Sequence, residues 1–145
     1  MTILSKEKVM LNAKAADKNE AIRMAGRLLV DAGHVPEAYI ERMIERDALS
    51  STYMGGGLAI PHGTNEAKPL VKSTGMSILV FPDGVDFGEG QTAQLVIGIA
   101  AVGDDHLDIL TNVATICSDD DSFARILAAG SAEELVDIFE SGMGE

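Results

Sequence analysis

Gly57-Leu58-Ala59-Ile60-Pro61-His62-Gly63-Thr64 ends a short apolar run by presenting one imidazole between a proline and a glycine. A neutral imidazole is a nucleophile near pH 7, and glycine beside it lets large groups approach closely. His62 is therefore the first candidate for chemistry, the other reading being an exposed turn histidine without a task. A second histidine, His106, follows another apolar run and falls in the first turn of a predicted helix. There the positive end of the helix dipole opposes protonation and unpaired amides can hold an anion. That place suits a phosphate neighbour, and equally a helix-start histidine bonded to Asp104 or Asp105. Arg46 is the third candidate. It lies one turn beyond Met43 at the margin of an apolar helix stripe, and its planar fork matches a phosphoryl group. Its alternative is a solvated arginine paired with Glu41 or Glu45. His34, just past a helix end, reads as a dipole-compatible cap without chemistry.

Other chemistries find no pattern. The chain has no His-Glu-x-x-His, no calcium-loop spacing, no Gly-x-Ser-x-Gly and no phosphate loop ending in Gly-Lys-Ser/Thr. Neither a metal nor a cofactor is expected, and Cys117, inside a predicted helix, reads as a small core residue.

The elements that must carry these side chains follow from periodicity and punctuation. Val9-Met10-Leu11 is a short strand. Asp17 with Glu20 forms a capping box for a helix to about Ala32, stopped by Gly33. Pro36 suits the first turn of a second helix running to about Leu49, with Ile40, Met43, Ile44 and Ala48 facing inward. Ser50 to Gly57 is expected as a turn-rich loop leading into Leu58-Ala59-Ile60. Met76 to Phe81 is a strand closed by Pro82-Asp83-Gly84, and Gln94 to Val102 a central strand closed by Gly103-Asp104-Asp105. A well-buried helix is expected from Asp105 to Ser118, then a short one ending at Gly130. Ser131 and Glu134 cap a last helix to about Glu140. Strands interleaved with helices imply one layered α/β domain over residues 1–145, with a mixed, mostly parallel sheet of about five strands flanked by helices on both faces. In such sheets ligands gather beyond the carboxyl ends of strands, where His62 and His106 fall.

With 11 basic against 23 acidic residues, the net charge is −12. Such a surface repels phosphate backbones and anionic lipid, which argues against a nucleic-acid partner. The longest apolar run, Leu95 to Val102, is far short of the ~20 residues of a spanning helix, so no membrane insertion is expected. The single cysteine precludes an intramolecular disulfide framework, and the first residues lack the apolar stretch of a signal peptide. A cytoplasmic protein is expected.

Tyr53-Met54-Gly55, Leu58 to Thr64 with Glu66-Ala67-Lys68, Gly84-Val85-Asp86-Phe87-Gly88, Leu95 to Ala101, and His106-Leu107-Asp108-Ile109-Leu110 stand in one order. Together they resemble the mannitol/fructose class of enzyme IIA, the phosphocarriers of the bacterial phosphoenolpyruvate-dependent sugar phosphotransferase system. The resemblance spans about Ile3 to Glu140 and implies an α/β fold. It implies that His62 accepts a phosphoryl group on Nε2 from the phosphohistidine of HPr. The group then passes to a cysteine of the IIB domain of a sugar permease. It places the family's second histidine on His106 and its arginine on Arg46, both stabilising the phosphoryl oxygens. Pro61-His62-Gly63-Thr64 with Glu66-Ala67-Lys68 looks most like the mannitol subgroup. The alternatives are a fructose carrier, a regulatory IIA of the nitrogen-linked branch, or a plain anion-binding domain.

Overall fold

Asp17 opens the first long helix as its spacing demands, its carboxylate accepting from the Glu20 amide at 2.9 Å while Glu20 accepts from the Ala16 amide. The computed structural model describes residues 4–88, 90–103 and 105–143. In chain order the elements are β1 (Val9–Met10), α1 (Lys18–Asp31), α2 (Ala38–Leu49), β2 (Tyr53–Gly55), β3 (Leu58–Ala59), β4 (Gly75–Asp86), β5 (Thr92–Ala100), α3 (Asp105–Ser118), α4 (Asp120–Leu127) and α5 (Ala132–Met143). Gly33 ends α1 at φ +86°, a left-handed position that glycine takes without strain. Ser131 caps α5, its hydroxyl accepting from the Glu134 amide at 3.1 Å.

The strands form one sheet in the order β1-β4-β5-β3-β2. β1/β4 and β3/β5 pair parallel, while β4/β5 and β2/β3 pair antiparallel. Alternation along β5 builds both halves of the core. Leu95, Ile97 and Ile99 enter a layer with Ile109, Val113, Ile126 and Phe139 of α3 to α5; Val96 and Ala100 face Ile22, Ala25 and Leu29 of α1. The sheet is thus mixed, five-stranded and covered on both faces, as expected. Helix α1 comes unusually near it. The Ser77 hydroxyl donates to the Ala25 carbonyl at 2.8 Å, and a Cβ on Gly98 would stand 2.6 Å from that hydroxyl and 3.0 Å from the Ala25 methyl.

Four expectations need correction. Pro82-Asp83-Gly84 does not close β4, which runs on to Asp86. Pairing jumps from Val80↔Leu95 to Val85↔Ala93, so the proline and Gly84 (φ +79°) sit in a bulge where no ladder bond is demanded of them. The Ser50–Gly57 stretch is not all loop: Tyr53–Gly55 pairs with β3 as an antiparallel edge. In α2 Ala48 is exposed, and Tyr39 and Asp47 are buried instead. Among the described residues of α3 the buried stripe is Ile109, Val113 and Ile116, with Leu110 and Cys117 partly covered and Ala114 exposed; the side chain of Leu107 lies outside the described residues.

His34 differs too. Its backbone closes α1, its amide donating to the Leu29 carbonyl at 3.0 Å, but its ring is fully buried over Gly75. The Lys8 ammonium, itself 1% exposed, donates to His34 Nε2 at 2.6 Å, so Nδ1–H donates to the Ser73 hydroxyl at 2.8 Å. Burial, and then the adjacent Lys8 charge, hold His34 below its ordinary pKa, and burial pushes Lys8 down from 10.5 to about 8. Above about pH 8 the unfolded chain therefore holds a proton at Lys8 that the folded chain has released, and stability from this group rises with pH. In urea titrations wild type is expected to gain about 1–3 kcal/mol on Lys8→Met between pH 7 and pH 10. A gap that does not change with pH would refute the depressed lysine.

Candidate active site

β3 is only two residues long, yet it delivers His62 to a fixed place because β5 continues to hold the chain beyond it. The Ile60 amide donates to the Thr52 carbonyl at 3.0 Å, the Ile99 amide donates to the Pro61 carbonyl at 3.0 Å, and His62 makes a parallel bridge with Ile99. The imidazole is half-buried, and its Nδ1 lies 2.8 Å from the Ile60 carbonyl oxygen. A carbonyl can only accept, so Nδ1 carries the proton and the lone pair resides on Nε2. Burial lowers the His62 pKa below 6.5 and the Arg46 charge adds to this, against the opposing pull of the Ile60 carbonyl and the Asp47 carboxylate. At neutral pH the ring is therefore an uncharged nucleophile with a defined reacting atom.

Helix α2 backs this turn with one stripe, Tyr39, Met43 and Asp47, spaced four residues apart. Asp47 is 3% exposed and accepts at Oδ1 from both the amide (2.9 Å) and the hydroxyl (2.7 Å) of Thr52, while Lys18 meets its other oxygen at 3.0 Å. These bonds hold the carboxylate below its ordinary pKa despite burial. The clamp fixes the connection from α2 to β2, and with it the Thr52 carbonyl that receives the Ile60 amide. Arg46, next in the helix, donates from Nη1 to the Ser50 carbonyl at 2.9 Å. The solvated pairing with Glu45 is not what forms: Glu45 meets Arg42 at 3.2 Å. Arg46 and His62 are thus brought to one electrostatic neighbourhood.

Tyr39 was not anticipated. It is 4% exposed, and its hydroxyl accepts from the Gly63 amide at 2.9 Å and donates to the Ile99 carbonyl at 3.2 Å. Gly63 is what admits it, because a Cβ there would lie 2.6 Å from the Tyr39 ring. The missed signal was the four-residue spacing of Tyr39, Met43 and Asp47, which marks a face of α2 turned toward the His62 turn. The backbone of His106 is the second residue of α3, after the C-terminal end of β5. Its side chain lies outside the described residues, as do Asp104 and the side chain of Asp105. Among the described residues no group of three His, Cys, Asp or Glu could hold a metal ion, and no helix is long and apolar enough to cross a membrane.

Residues 2–142 match the family model of the phosphoenolpyruvate-dependent sugar phosphotransferase system, EIIA 2, and the chain belongs to this family of phosphotransferase components. Among its relatives is the mannitol-specific phosphotransferase enzyme IIA component of Bacillus subtilis (strain 168), 50% identical over 139 residues, covering 96% of this chain and 97% of that one. The crystal structure of IIA mannitol from Escherichia coli superposes with a TM-score of 0.87 at 40% identity, covering 94% of this chain and 98% of that one. The complex of enzyme IIA and phosphorylated enzyme IIB for mannitol, also from Escherichia coli, matches at 0.89 and 38% identity, over 95% and 97% of the two chains.

Proposed function

We propose that the protein is the phosphohistidine carrier of a mannitol uptake system, acting in the cytoplasm between HPr and a IIB domain. The observation that carries this reading is the His62 ring: neutral, with Nδ1–H committed to the Ile60 carbonyl and the lone pair on Nε2. The Nε2 lone pair attacks the phosphorus of phospho-HPr in line, the N–P bond of the donor breaks, and the donor ring keeps that electron pair. Because the Nδ1 proton stays in place, the product is a phosphoimidazole with cationic character, and in onward transfer a cysteine thiolate of IIB attacks the phosphorus while the N–P bond breaks and the ring leaves as neutral imidazole. Arg46 and His106 stabilise the charge on the equatorial oxygens, the positioning and electrostatic mode that phosphoryl transfer requires. Mannitol is favoured by the 50% identity to the Bacillus subtilis component.

Incubation with phosphoenolpyruvate, enzyme I and HPr should add the mass of one phosphoryl group, and mannitol IIB should then discharge it. Faster discharge by fructose IIB would move the substrate to fructose. Discharge by neither would favour a regulatory role, and failure to charge at all would leave an anion-binding domain. HPr presents basic residues around its own histidine, and this chain carries a net −12. Transfer from phospho-HPr is therefore expected to slow by roughly tenfold between low salt and about 0.5 M, as steering is screened. A flat salt profile would remove electrostatics from the encounter.

A further inference from the structure

We infer that Tyr39 is a positioning residue for phosphoryl transfer, its hydroxyl spliced into the hydrogen-bond ladder that fixes the His62 turn to β5. The inference rests on reading His62 as the phosphoryl acceptor. A parallel bridge between His62 and Ile99 calls for two bonds, one from the Ile99 amide to the Pro61 carbonyl and one from the Gly63 amide to the Ile99 carbonyl. The first is present at 3.0 Å. At the second position the short bonds run through the phenol: the Gly63 amide donates to it at 2.9 Å and it donates to the Ile99 carbonyl at 3.2 Å. One oxygen thus occupies the ladder position and closes a ring of bonds through Ile99, Pro61, His62, Gly63 and Tyr39.

Both peptide units of His62 are held by this ring, one directly by β5 and the other through the phenol. The imidazole in turn is tied to the Ile60 carbonyl, one residue before the ring closes. Inserting the phenol therefore sets how far the turn stands from β5, and with it the angle at which Nε2 is presented. Burial raises the Tyr39 pKa, so the hydroxyl remains protonated and can both donate and accept throughout the working range. Gly63 and Tyr39 are a matched pair, since any side chain at 63 would displace the ring. The Gly63 in the Pro61-His62-Gly63 sequence thus serves the phenol behind the turn as well as partners in front of it.

Tyr39→Phe keeps the ring and removes only the splice. Without it the Gly63 amide either closes directly on Ile99, drawing the turn inward, or loses its acceptor. Single-turnover transfer from phospho-HPr is expected to fall by about tenfold to a hundredfold, the scale of a small misplacement at a reacting centre. HPr affinity, measured separately by titration, should stay within about twofold of wild type. Nitrogen NMR of the unphosphorylated proteins should show His62 moving from a fixed Nδ1–H tautomer toward an average of the two. A variant with wild-type transfer rate, or with an unchanged ring tautomer, would overturn the proposal. Wild type alone supplies a check independent of how well the variant folds. Its Tyr39 hydroxyl proton should exchange slowly and show a cross-peak to the Gly63 amide, and absence of that signal would also sink the idea. The tautomer readout needs no phosphoryl donor, so a wild-type protein that fails to charge would count against the carrier reading and leave the splice to be judged on its own.

Discussion

His62→Ala is expected to remain at its unmodified mass when incubated with phosphoenolpyruvate, enzyme I and HPr, under conditions in which wild type gains one phosphoryl group. The variant removes the only histidine of the described site whose lone pair is assigned by a fixed hydrogen bond, Nδ1–H to the Ile60 carbonyl. The bonds that hold the turn, from the Ile99 amide to the Pro61 carbonyl and from the Gly63 amide to the Tyr39 hydroxyl, are made without the ring, so the fold should survive and circular dichroism should be unchanged. The label on wild type should be lost in acid and kept in base, as an N–P bond requires. Charging rate against pH should rise with deprotonation of His62 and level off with a midpoint below 6.5, because burial and the Arg46 charge both disfavour the protonated ring. Label appearing equally on His62→Ala, or a midpoint above 6.5, would end the assignment.

Arg46→Gln is expected to slow transfer by roughly a hundredfold to a thousandfold while HPr affinity changes little, the magnitude found when one preorganised donor to a developing negative charge is removed. The guanidinium donates from Nη1 to the Ser50 carbonyl, which anchors it at the end of α2, and on the proposed reading the remainder of the planar fork would meet phosphoryl oxygens. A second signature separates electrostatics from packing. Arg46 lowers the His62 pKa, so Arg46→Gln should shift the midpoint of the pH profile upward. Arg46→Lys should hold that midpoint near wild type by keeping the charge, yet still transfer slowly because the fork is lost. Equal rates for arginine and lysine, or loss confined to docking, would remove Arg46 from the reaction.

Much of the frame could be read from residues with strong local preferences. The capping pair Asp17 and Glu20, the stop at Gly33 and the bounds of α3 are local events, decided within a turn or two of chain. The His62 turn was legible for the same reason, since Pro-His-Gly after an apolar run is a local pattern. What escaped is what long-range contact decides. The strand β4 carries Pro82 and Gly84 through a bulge, five steps from Val80 to Val85 lying against two of β5, and whether Pro-Asp-Gly ends a strand or bulges it is decided by the partner strand. The edge β2 was hidden behind glycines whose positive φ values serve a hairpin. Tyr39 and Asp47 acquire their roles from partners 24 and 5 residues away, Gly63 and Thr52, that α2 periodicity alone does not name. Lys8 and His34, 26 residues apart, meet only once β1 lies beside β4.

Ile99 is fully buried, and so are Leu95, Val96, Ile97 and Ala100 along the same strand. The His62 turn is bolted to this strand, a fully buried element of the kind expected to open last, instead of riding on a loose surface loop. Amide exchange at Ile99 should consequently report global unfolding, although its bond ends within one residue of the His62 ring. On the carrier reading, such anchoring would present one socket to donor and acceptor alike, and the adaptation needed to serve both would fall to them.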